Sequence, residues 1–501
     1  MKVRRSCHRI LLVVALAACL EAHAGPAAAV EFEVTVDPQV ASQPVSGRLY
    51  VFLSSRGGEP RFGPDWFNPE PFFRLDVRNF RPGTSQIIGD SAAGFPDMLS
   101  RLPAGKYRAQ SVLANDFYSP EPGKGVGNFY SRVVEIQIAG GRTGRVPLML
   151  DRAVEAEKFP DIQWVKEIVI KSELLGTFHH REVLDRAAVV LPASYFNQPE
   201  RRYPVIYVVP SFGGSYREAL QFARQPPSAA DGEQEFIRVM LDGQCEWGHH
   251  VYADSATNGP RGQSLTTELI PEIDRRFRTV PKASARFVAG HSSGGWSSLW
   301  LQVSYPDTFG GVWSTSPDPV DFRDFQRIDL YADPPQNMVR DPQGNRRPIA
   351  RHGDTPVLWF DSFCKMDDVL GRGGQLRSFE AVFSPLDADG LPRRLWDRAS
   401  GQIDPEVAKA WQAFDIRLKL ERNWQVLAPK LRGKLHITTG SLDTFYLDGA
   451  VLRLAESLKQ LGSDAQITIV PGADHTTVLT PDYFRQARRE MSAAYRVGES
   501  R

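Results

Sequence analysis

One ten-residue stretch near the middle of the chain constrains the fold more than any other. It reads Phe-Val-Ala-Gly-His-Ser-Ser-Gly-Gly-Trp and contains the pattern Gly-x-Ser-x-Gly around Ser292. An apolar strand precedes the pattern and a helical segment follows it, which is the context in which this pattern forms a tight, strained turn. The small residues Gly290 and Gly294 let the strand and the helix approach each other. The pattern therefore predicts that the Ser292 hydroxyl projects as a nucleophile at the end of a sheet.

A nucleophilic serine needs a base, and the base needs an acid that orients it. In folds with this turn the three residues follow the chain order serine, acid, histidine. Asp443 and His475 each follow an apolar run that is typical of a strand, so both are expected in loops at the carboxyl edge of the sheet. We predict that Ser292, Asp443 and His475 form a catalytic triad, with Asp448 and Asp474 as alternative acids.

The other histidines beyond the first segment of the chain suit the role of the base less well. His436 lies within a predicted strand, and His291 is adjacent to the serine and cannot easily face it. His179 and His180 precede the core of the sheet, and His352 lies in the region predicted to cover it.

The mechanism also requires two backbone N–H groups that stabilise an oxyanion. One is expected from Ser293, the residue after the nucleophile. The second is expected from the loop after an early strand, where Phe212 lies in a glycine-rich stretch that follows the apolar run 205–209. A plain glycine-rich turn is the alternative interpretation of this loop.

A further strand end should border the same cleft. Trp247 after that strand and Trp296 after the serine are candidate walls of a substrate groove, and packing in the core is the alternative for both. The neighbouring residues His249, His250 and Asp254 raise the question of a metal site, but consecutive loop residues rarely converge on one ion. We expect no metal and no other cofactor.

The organisation of the 501 residues indicates more than one domain. Residues 30–150 alternate strand-like runs with Gly and Pro clusters, which predicts a small all-β sandwich. Residues 151–163 are charged and read as a linker. Residues 164–495 alternate short apolar runs with helical segments, which is typical of a mostly parallel sheet covered on both faces. The alternation stops over residues 318–432, an aromatic-rich stretch that we interpret as a cap insertion over the site.

Residues 1–24 read as an export signal. Basic residues precede an apolar run from Ile10 to Leu20, which is too short for a permanent membrane span, and a small-x-small cleavage pattern ends at Ala24. The alternative is a lipoprotein signal with a lipid anchor on Cys19. Both interpretations export the chain to the periplasm or the exterior, and no later stretch predicts a transmembrane span.

Charge and cysteine content narrow the partners further. The formal net charge of +1 gives no reason to expect nucleic acid as a partner. The globular part contains two cysteines, Cys245 and Cys364. In an oxidising compartment they could form a disulfide, and two buried free thiols are the alternative.

These motifs together resemble the Putative esterase family, the esterase D-like branch of the α/β hydrolases, which includes feruloyl and enterochelin-type esterases. The most specific match is 290–295 followed by 305–309, and 203–210 resembles the first core strand of the family. Residues 440–443 and 474–475 resemble its acid and base positions. The resemblance implies an α/β-hydrolase fold and ester hydrolysis.

The chain departs from the family in two places. Pro210-Ser211 stands where the family often has His-Gly, so the backbone turn that would present the oxyanion donor differs from that of the family. The insertion 318–432 matches no familiar subgroup. The sequence thus predicts an exported serine ester hydrolase that acts on a small-molecule or polysaccharide-linked ester through an acyl-enzyme. Acyl transfer to a sugar or lipid hydroxyl stays open, as does a polysaccharide-binding protein with a vestigial hydrolase domain.

Overall fold

The computed structural model describes residues 30–116, 119–138, 144–229 and 233–499. The predicted export signal and Cys19 lie outside these residues. Strands dominate the N-terminal region, and they run as β1 Glu31–Val36, β2 Val45–Ser54, β3 Phe72–Phe80, β4 Ser85–Ile88, β5 Ala93–Phe95, β6 Gly105–Ala114, β7 Phe129–Ser131, β8 Val134–Ile138 and β9 Arg145–Ala153.

These nine strands form one sheet and not the two stacked sheets of the predicted sandwich. The strand order is β4-β1-β9-β7-β6-β2-β3-β5, and β8 also pairs with β6. The reason is the length of β6, which pairs with β8 along its first half and with β7 near its end, and so joins both groups of strands. Side chains of β1 and of β2 share one core, so the sheet is curved around it.

The two faces of this sheet have different partners, as the alternation along β2 shows. Leu49 and Val51 belong to the core of the β-domain, whereas Tyr50 and Phe52 belong to the core of the following region. This division follows from the two-residue period of a strand, which sends successive side chains to opposite faces. The part of the outer face that β2 forms is therefore buried against the following region.

The second region contains the remaining strands and the helices. Its strands are β10 Val165–Lys171, β11 Leu184–Val190, β12 Val205–Val209, β13 Ile237–Leu241, β14 Gln244–Cys245, β15 Gly248–His249, β16 Asp254–Ser255, β17 Gly259–Pro260, β18 Arg286–His291, β19 Gly311–Thr315, β20 Pro348–His352, β21 Thr355–Trp359, β22 Leu435–Gly440 and β23 Gln466–Val470. Its helices are α1 Glu173–His179, α2 Arg261–Ser264, α3 Ile270–Arg276, α4 Ser293–Ser304, α5 Phe360–Leu370, α6 Gln375–Phe383, α7 Pro405–Trp411, α8 Ile416–Leu431, α9 Asp448–Gln460 and α10 Pro481–Glu499.

Eight of these strands form a mixed sheet in the order β10-β11-β13-β12-β18-β19-β22-β23. The pairs from β13 through β12, β18, β19 and β22 to β23 are parallel, whereas β10 and β11 are antiparallel to their neighbours. The central strands are mostly apolar and largely buried because helices cover the sheet. The parallel order brings the carboxyl ends of β18, β22 and β23 to one edge of the sheet, where the candidate site lies.

The interval between β19 and β22 holds the predicted cap. A β20–β21 hairpin and the helices α5, α6 and α7 occupy most of it, while α8 packs against α4 beside the main sheet. Helix α5 meets the β-domain, since the Tyr50 hydroxyl donates to the carbonyl oxygen of Leu370 at 2.6 Å and Arg74 donates to that of Asp368 at 3.1 Å. The insertion therefore lies between the mixed sheet and the β-domain.

Two further expectations have structural outcomes. Cys245 and Cys364 are both buried free thiols and form no disulfide with each other. Across the described ranges, no helix combines the length and the apolar character needed to cross a membrane.

Candidate active site

The turn between β18 and α4 holds Ser292 in a strained conformation, with φ 58° and ψ −125°. A Cβ on Gly290 would overlap the carbonyl oxygen of Gly294, and a Cβ on Gly294 would overlap that of Val209. Both positions therefore require glycine for the strand and the helix to approach. The backbone N–H of Ser292 donates to the carbonyl oxygen of Thr315 at 3.0 Å, which ties the turn to the neighbouring strand.

The loops after β22 and β23 bring Asp443 and His475 together. The Nδ1 atom of His475 lies 2.8 Å from Oδ2 of Asp443. Asp443 is fully buried, and its Oδ1 accepts the N–H groups of Phe445 at 2.9 Å and Leu447 at 3.4 Å. An ionised carboxylate is only an acceptor, so this contact assigns the proton to Nδ1 and leaves Nε2 as the basic nitrogen.

Two aromatic rings hold the His475 imidazole from the sides. The His291 ring lies 4.5 Å from it and the Phe445 ring 5.0 Å, measured between centroids. Burial, and then the neighbouring His475, lower the pKa of His291 to about 4. His291 is therefore neutral near pH 7 and adds no positive charge beside His475.

Ser292 and His475 line the same cavity of about 240 Å³. Its other lining residues are mostly apolar, and they come from the β-domain, the loops of the mixed sheet and the insertion: Trp66, Ser211, Phe212, His291, Asp318, Pro319, Gln326, Ile349, Leu358, Phe363, Gln375, Leu376, Phe379, Phe445 and Leu447. A cavity of this kind suits a compact, partly apolar ligand group next to the serine.

The two predicted oxyanion donors, Ser293 and Phe212, belong to segments next to the cavity that Ser292 lines. Ser293 is the first residue of α4, and Phe212 lies in the loop after β12 and lines the cavity. Neither backbone N–H donates to an acceptor in the part of the chain that the structure describes. The partial positive charge at the start of α4 adds to the attraction for an anion at this place.

A buried carboxyl group that the sequence analysis did not single out also lines the cavity. Asp318 follows β19, and its Oδ2 accepts the hydroxyl of Ser293 at 2.6 Å. The amide nitrogen of Gln375 lies 3.4 Å from the same hydroxyl oxygen. Burial raises the pKa of Asp318 to about 6. Asp318 could have been expected near Ser292 from the sequence, because it lies three residues after the end of β19 and β19 is the neighbour of β18.

The β-domain contributes Trp66 to the cavity, from the loop between β2 and β3. The Trp66 ring contacts those of Phe212, Phe363 and Phe445, with centroid distances of 5.6, 5.1 and 6.1 Å. No motif or spacing in the sequence connects residue 66 with the serine turn. This wall of the cavity therefore combines side chains from four distant segments.

The structure corrects the interpretation of Trp247 and Trp296 as walls of the substrate groove. Trp296 is 1% exposed, stacks on Trp300 at 5.2 Å and packs against Phe383, because its place one helical turn after Ser292 directs it under the insertion. Trp247 lines a different, larger cleft beside the β-domain, where Arg372 lies over its ring. Neither side chain lines the cavity at Ser292.

The histidine pair after β13 has backbone partners instead of a ligand. Nε2 of His249 lies 3.0 Å from the carbonyl oxygen of Pro210, and Nε2 of His250 lies 3.1 Å from that of Asp242. Their Nδ1 atoms accept the N–H groups of Val251 and Tyr252. Burial lowers the pKa of His249 to about 4, so the ring is neutral. Among the described residues no group of His, Cys, Asp and Glu has the arrangement of a metal site.

The two alternative acids have other partners. Asp448 begins α9 and accepts Arg351 at 2.8 Å, while Asp474 accepts the N–H groups of Thr476 and Thr477 in a turn. Neither lines the cavity. The acid in contact with His475 is Asp443.

Comparisons with known proteins agree with the family resemblance. The family model described as Putative esterase matches residues 185–478. No curated protein matches the chain.

Several solved structures are similar. A ferulic acid esterase has 14% identity and a TM-score of 0.40, covering 66% of this chain and 99% of its own. A fluorophosphonate-binding serine hydrolase from Staphylococcus aureus has 15% identity and a TM-score of 0.40, covering 66% and 98%. An S-formylglutathione hydrolase from Agrobacterium tumefaciens has 14% identity and a TM-score of 0.38, covering 66% and 95%.

The family match spans the mixed sheet from β11 through β23, together with the serine turn and the loops of Asp443 and His475. It covers more than half of the chain and confirms the resemblance inferred from the motifs. The mixed sheet is accordingly that of an α/β-hydrolase-like fold. This chain belongs to the Putative esterase family.

Proposed function

We propose that the protein is a serine ester hydrolase in which Ser292, His475 and Asp443 form the catalytic triad. The observation that carries the proposal is the 2.8 Å contact between His475 and Asp443, beside a cavity that Ser292 also lines. The strained conformation of Ser292 supports it, because such strain is retained where the position of a side chain matters for function.

In this mechanism His475 accepts the proton of the Ser292 hydroxyl through Nε2 as the oxygen attacks the ester carbonyl carbon. Asp443 keeps the proton on Nδ1 and stabilises the imidazolium that forms. The N–H groups of Ser293 and Phe212 stabilise the oxyanion of the tetrahedral intermediate. His475 then returns the proton to the leaving alcohol, and an acyl group remains on Ser292.

A water molecule completes the cycle. His475 removes a proton from the water, whose oxygen attacks the acyl carbon, and the serine oxygen leaves with the proton from His475. The products are a carboxylic acid and an alcohol. Transfer of the acyl group to a sugar or lipid hydroxyl would use the same residues, with that hydroxyl in place of water.

Hydrolysis of p-nitrophenyl esters tests the proposal. The substrates are the esters from acetate to decanoate and the ferulate ester, and Ser292→Ala is the variant. We expect turnover by the wild-type chain and a fall of about four orders of magnitude or more in the variant. Turnover that survives unchanged in a folded Ser292→Ala protein would overturn the assignment of the nucleophile.

Export belongs to the same proposal and rests on residues 1–24. The expected mature chain begins after Ala24, or at a lipid-modified Cys19 if the chain is a lipoprotein. The mass of the mature N-terminal peptide from exported protein distinguishes the two. A peptide that retains Met1 would contradict export.

A further inference from the structure

The cavity at Ser292 has three oxygen acceptors that lack a donor. The Oδ1 atom of Asp318 accepts no hydrogen bond from a described residue, since the Ser293 hydroxyl occupies Oδ2. The Oε1 atoms of Gln326 and Gln375 are buried and unpaired. All three side chains line the same cavity.

The orientation of both amides is fixed by their donor ends. Nε2 of Gln326 donates to the carbonyl oxygen of Phe445 at 3.2 Å. The Ser293 hydroxyl gives its proton to Asp318, so its oxygen is the acceptor for Nε2 of Gln375. Turning either amide over would place two acceptors against each other. The oxygen ends are therefore the ones without a partner.

Asp318 also lacks a counter-charge. It is 6% exposed, and within the described ranges no Arg or Lys forms an ion pair with it. Besides burial and the Ser293 hydroxyl, His475 lowers the pKa of Asp318 and Asp443 raises it. A buried carboxylate and unpaired buried acceptors are costly unless a ligand satisfies them.

We infer that the substrate group that enters this cavity carries a primary ammonium group, which Asp318 recognises together with Gln326 and Gln375. An ammonium group supplies three N–H donors and one positive charge. This matches three acceptors, one of which is ionised. The remaining apolar lining fits a short aliphatic chain that carries the amine. The inference rests on the proposed ester hydrolysis and adds the class of substrate.

Three esters of equal shape test the inference. They are the p-nitrophenyl esters of 3-methylbutanoate, 3-hydroxybutanoate and 3-aminobutanoate, which differ only in a methyl, hydroxyl or ammonium group. A second series places the same three groups on the alcohol of an acetate ester and follows acid release. We expect kcat/KM for the amino ester to exceed that for the methyl ester about tenfold or more in one series.

The variant Asp318→Asn keeps the shape of the side chain and removes its charge. The ratio of amino to methyl ester should fall about tenfold in this variant, and by a smaller factor in Gln375→Met. Asp307→Asn, which changes an exposed carboxylate bonded to Lys430, is the matched control and should keep the ratio. A change in overall stability would alter the rates for all three esters and leave the ratio unchanged.

An equal or lower rate for the amino ester in both series would overturn the inference and leave ester hydrolysis intact. A preference for the hydroxy ester alone would also overturn it, because that result needs no charge. If no ester is hydrolysed, the proposed function fails first. The inference is then decided by calorimetric binding of the same esters to Ser292→Ala, where a tighter amino ester supports it and equal affinities overturn it.

Discussion

The two sides of the cavity are built on different principles. On the side of Ser292 the backbone itself sets the geometry, since a Cβ on Gly290 or Gly294 would overlap a carbonyl oxygen. In the wall around Trp66, by contrast, side chains from separate segments reach the cavity, and the ring of Trp66 contacts that of Phe363. A backbone constraint permits few substitutions, whereas a wall of side chains changes shape with each one. Under the proposed function, the turn that carries the nucleophile tolerates few substitutions, whereas the aromatic wall that would select the substrate tolerates more.

The largest effect is expected on the catalytic side. Asp443→Asn removes the acceptor that holds the proton on Nδ1 of His475, so we expect kcat to fall by about 10⁴. Asp448→Asn is the matched control, because Asp448 bonds to Arg351 at 2.8 Å and does not contact His475. Steady-state kinetics on p-nitrophenyl butyrate measures both. Equal losses of kcat in the two variants would contradict the assignment of Asp443 as the acid that orients His475.

Gly294→Ala should affect folding as well as activity. The new methyl group would overlap the carbonyl oxygens of Val209, the last residue of β12, and of Pro210. We expect the free energy of unfolding to fall by about 3 kcal/mol or more, measured by urea denaturation. Gly176→Ala in α1 is the control, since its methyl group would meet only ordinary contact distances. A stable, active Gly294→Ala protein would contradict the steric account of the turn.

Trp66→Ala should change selectivity more than catalysis. Loss of the indole enlarges the cavity, so we expect the ratio of kcat/KM for decanoate over butyrate to rise about tenfold. Trp66→Phe keeps a ring against Phe363 and should keep most of the wild-type profile. A profile that does not move in Trp66→Ala would mean that the β-domain does not limit the substrate.

The last prediction concerns the dependence of stability on pH and involves no catalytic step. Burial raises the pKa of Asp318 from 3.8 to about 6, so between these values the folded chain keeps a proton that the unfolded chain has lost. The resulting loss of stability is absent below about pH 4, where both states are protonated, and it grows as the pH rises towards 6. Relative to Asp318→Asn, the wild type should lose at most about 3 kcal/mol between pH 4 and pH 7.

Urea denaturation of both proteins at pH 4, 5, 6 and 7 measures the difference. The comparison cancels the titration of groups that the two proteins share. A difference that stays constant with pH would show that the Asp318 carboxyl is not buried as described.

What the sequence predicts well is what local sterics determine. The serine turn needs glycines at fixed spacing, and the loops of Asp443 and His475 follow apolar strands, so position along the chain indicates position in space. The wall of the cavity has no such pattern. Trp66, Gln326 and Gln375 lie in three segments whose meeting depends on tertiary packing. The sequence leaves Trp296 open between groove wall and core for a related reason, because the role of its helical face depends on what covers that helix.

The β-domain differs from its prediction through one strand. The two-residue period is visible in 31–36, in 145–150 and in β3, where apolar residues alternate with charged ones, whereas β7 is only three residues long and too short to show a period. Whether short strands make one sheet or two depends on pairing along β6, and pairing between distant segments leaves little trace in local sequence.

Because Trp66 lines the cavity at Ser292, the candidate site includes a residue of the β-domain as well as residues of the mixed-sheet region. A chain that begins at residue 164 would keep Ser292, Asp443 and His475 and would lose Trp66 from the wall of the cavity. Under the proposed function, the selectivity of the protein therefore depends on both regions, and a shortened chain would be a poor guide to its natural substrate.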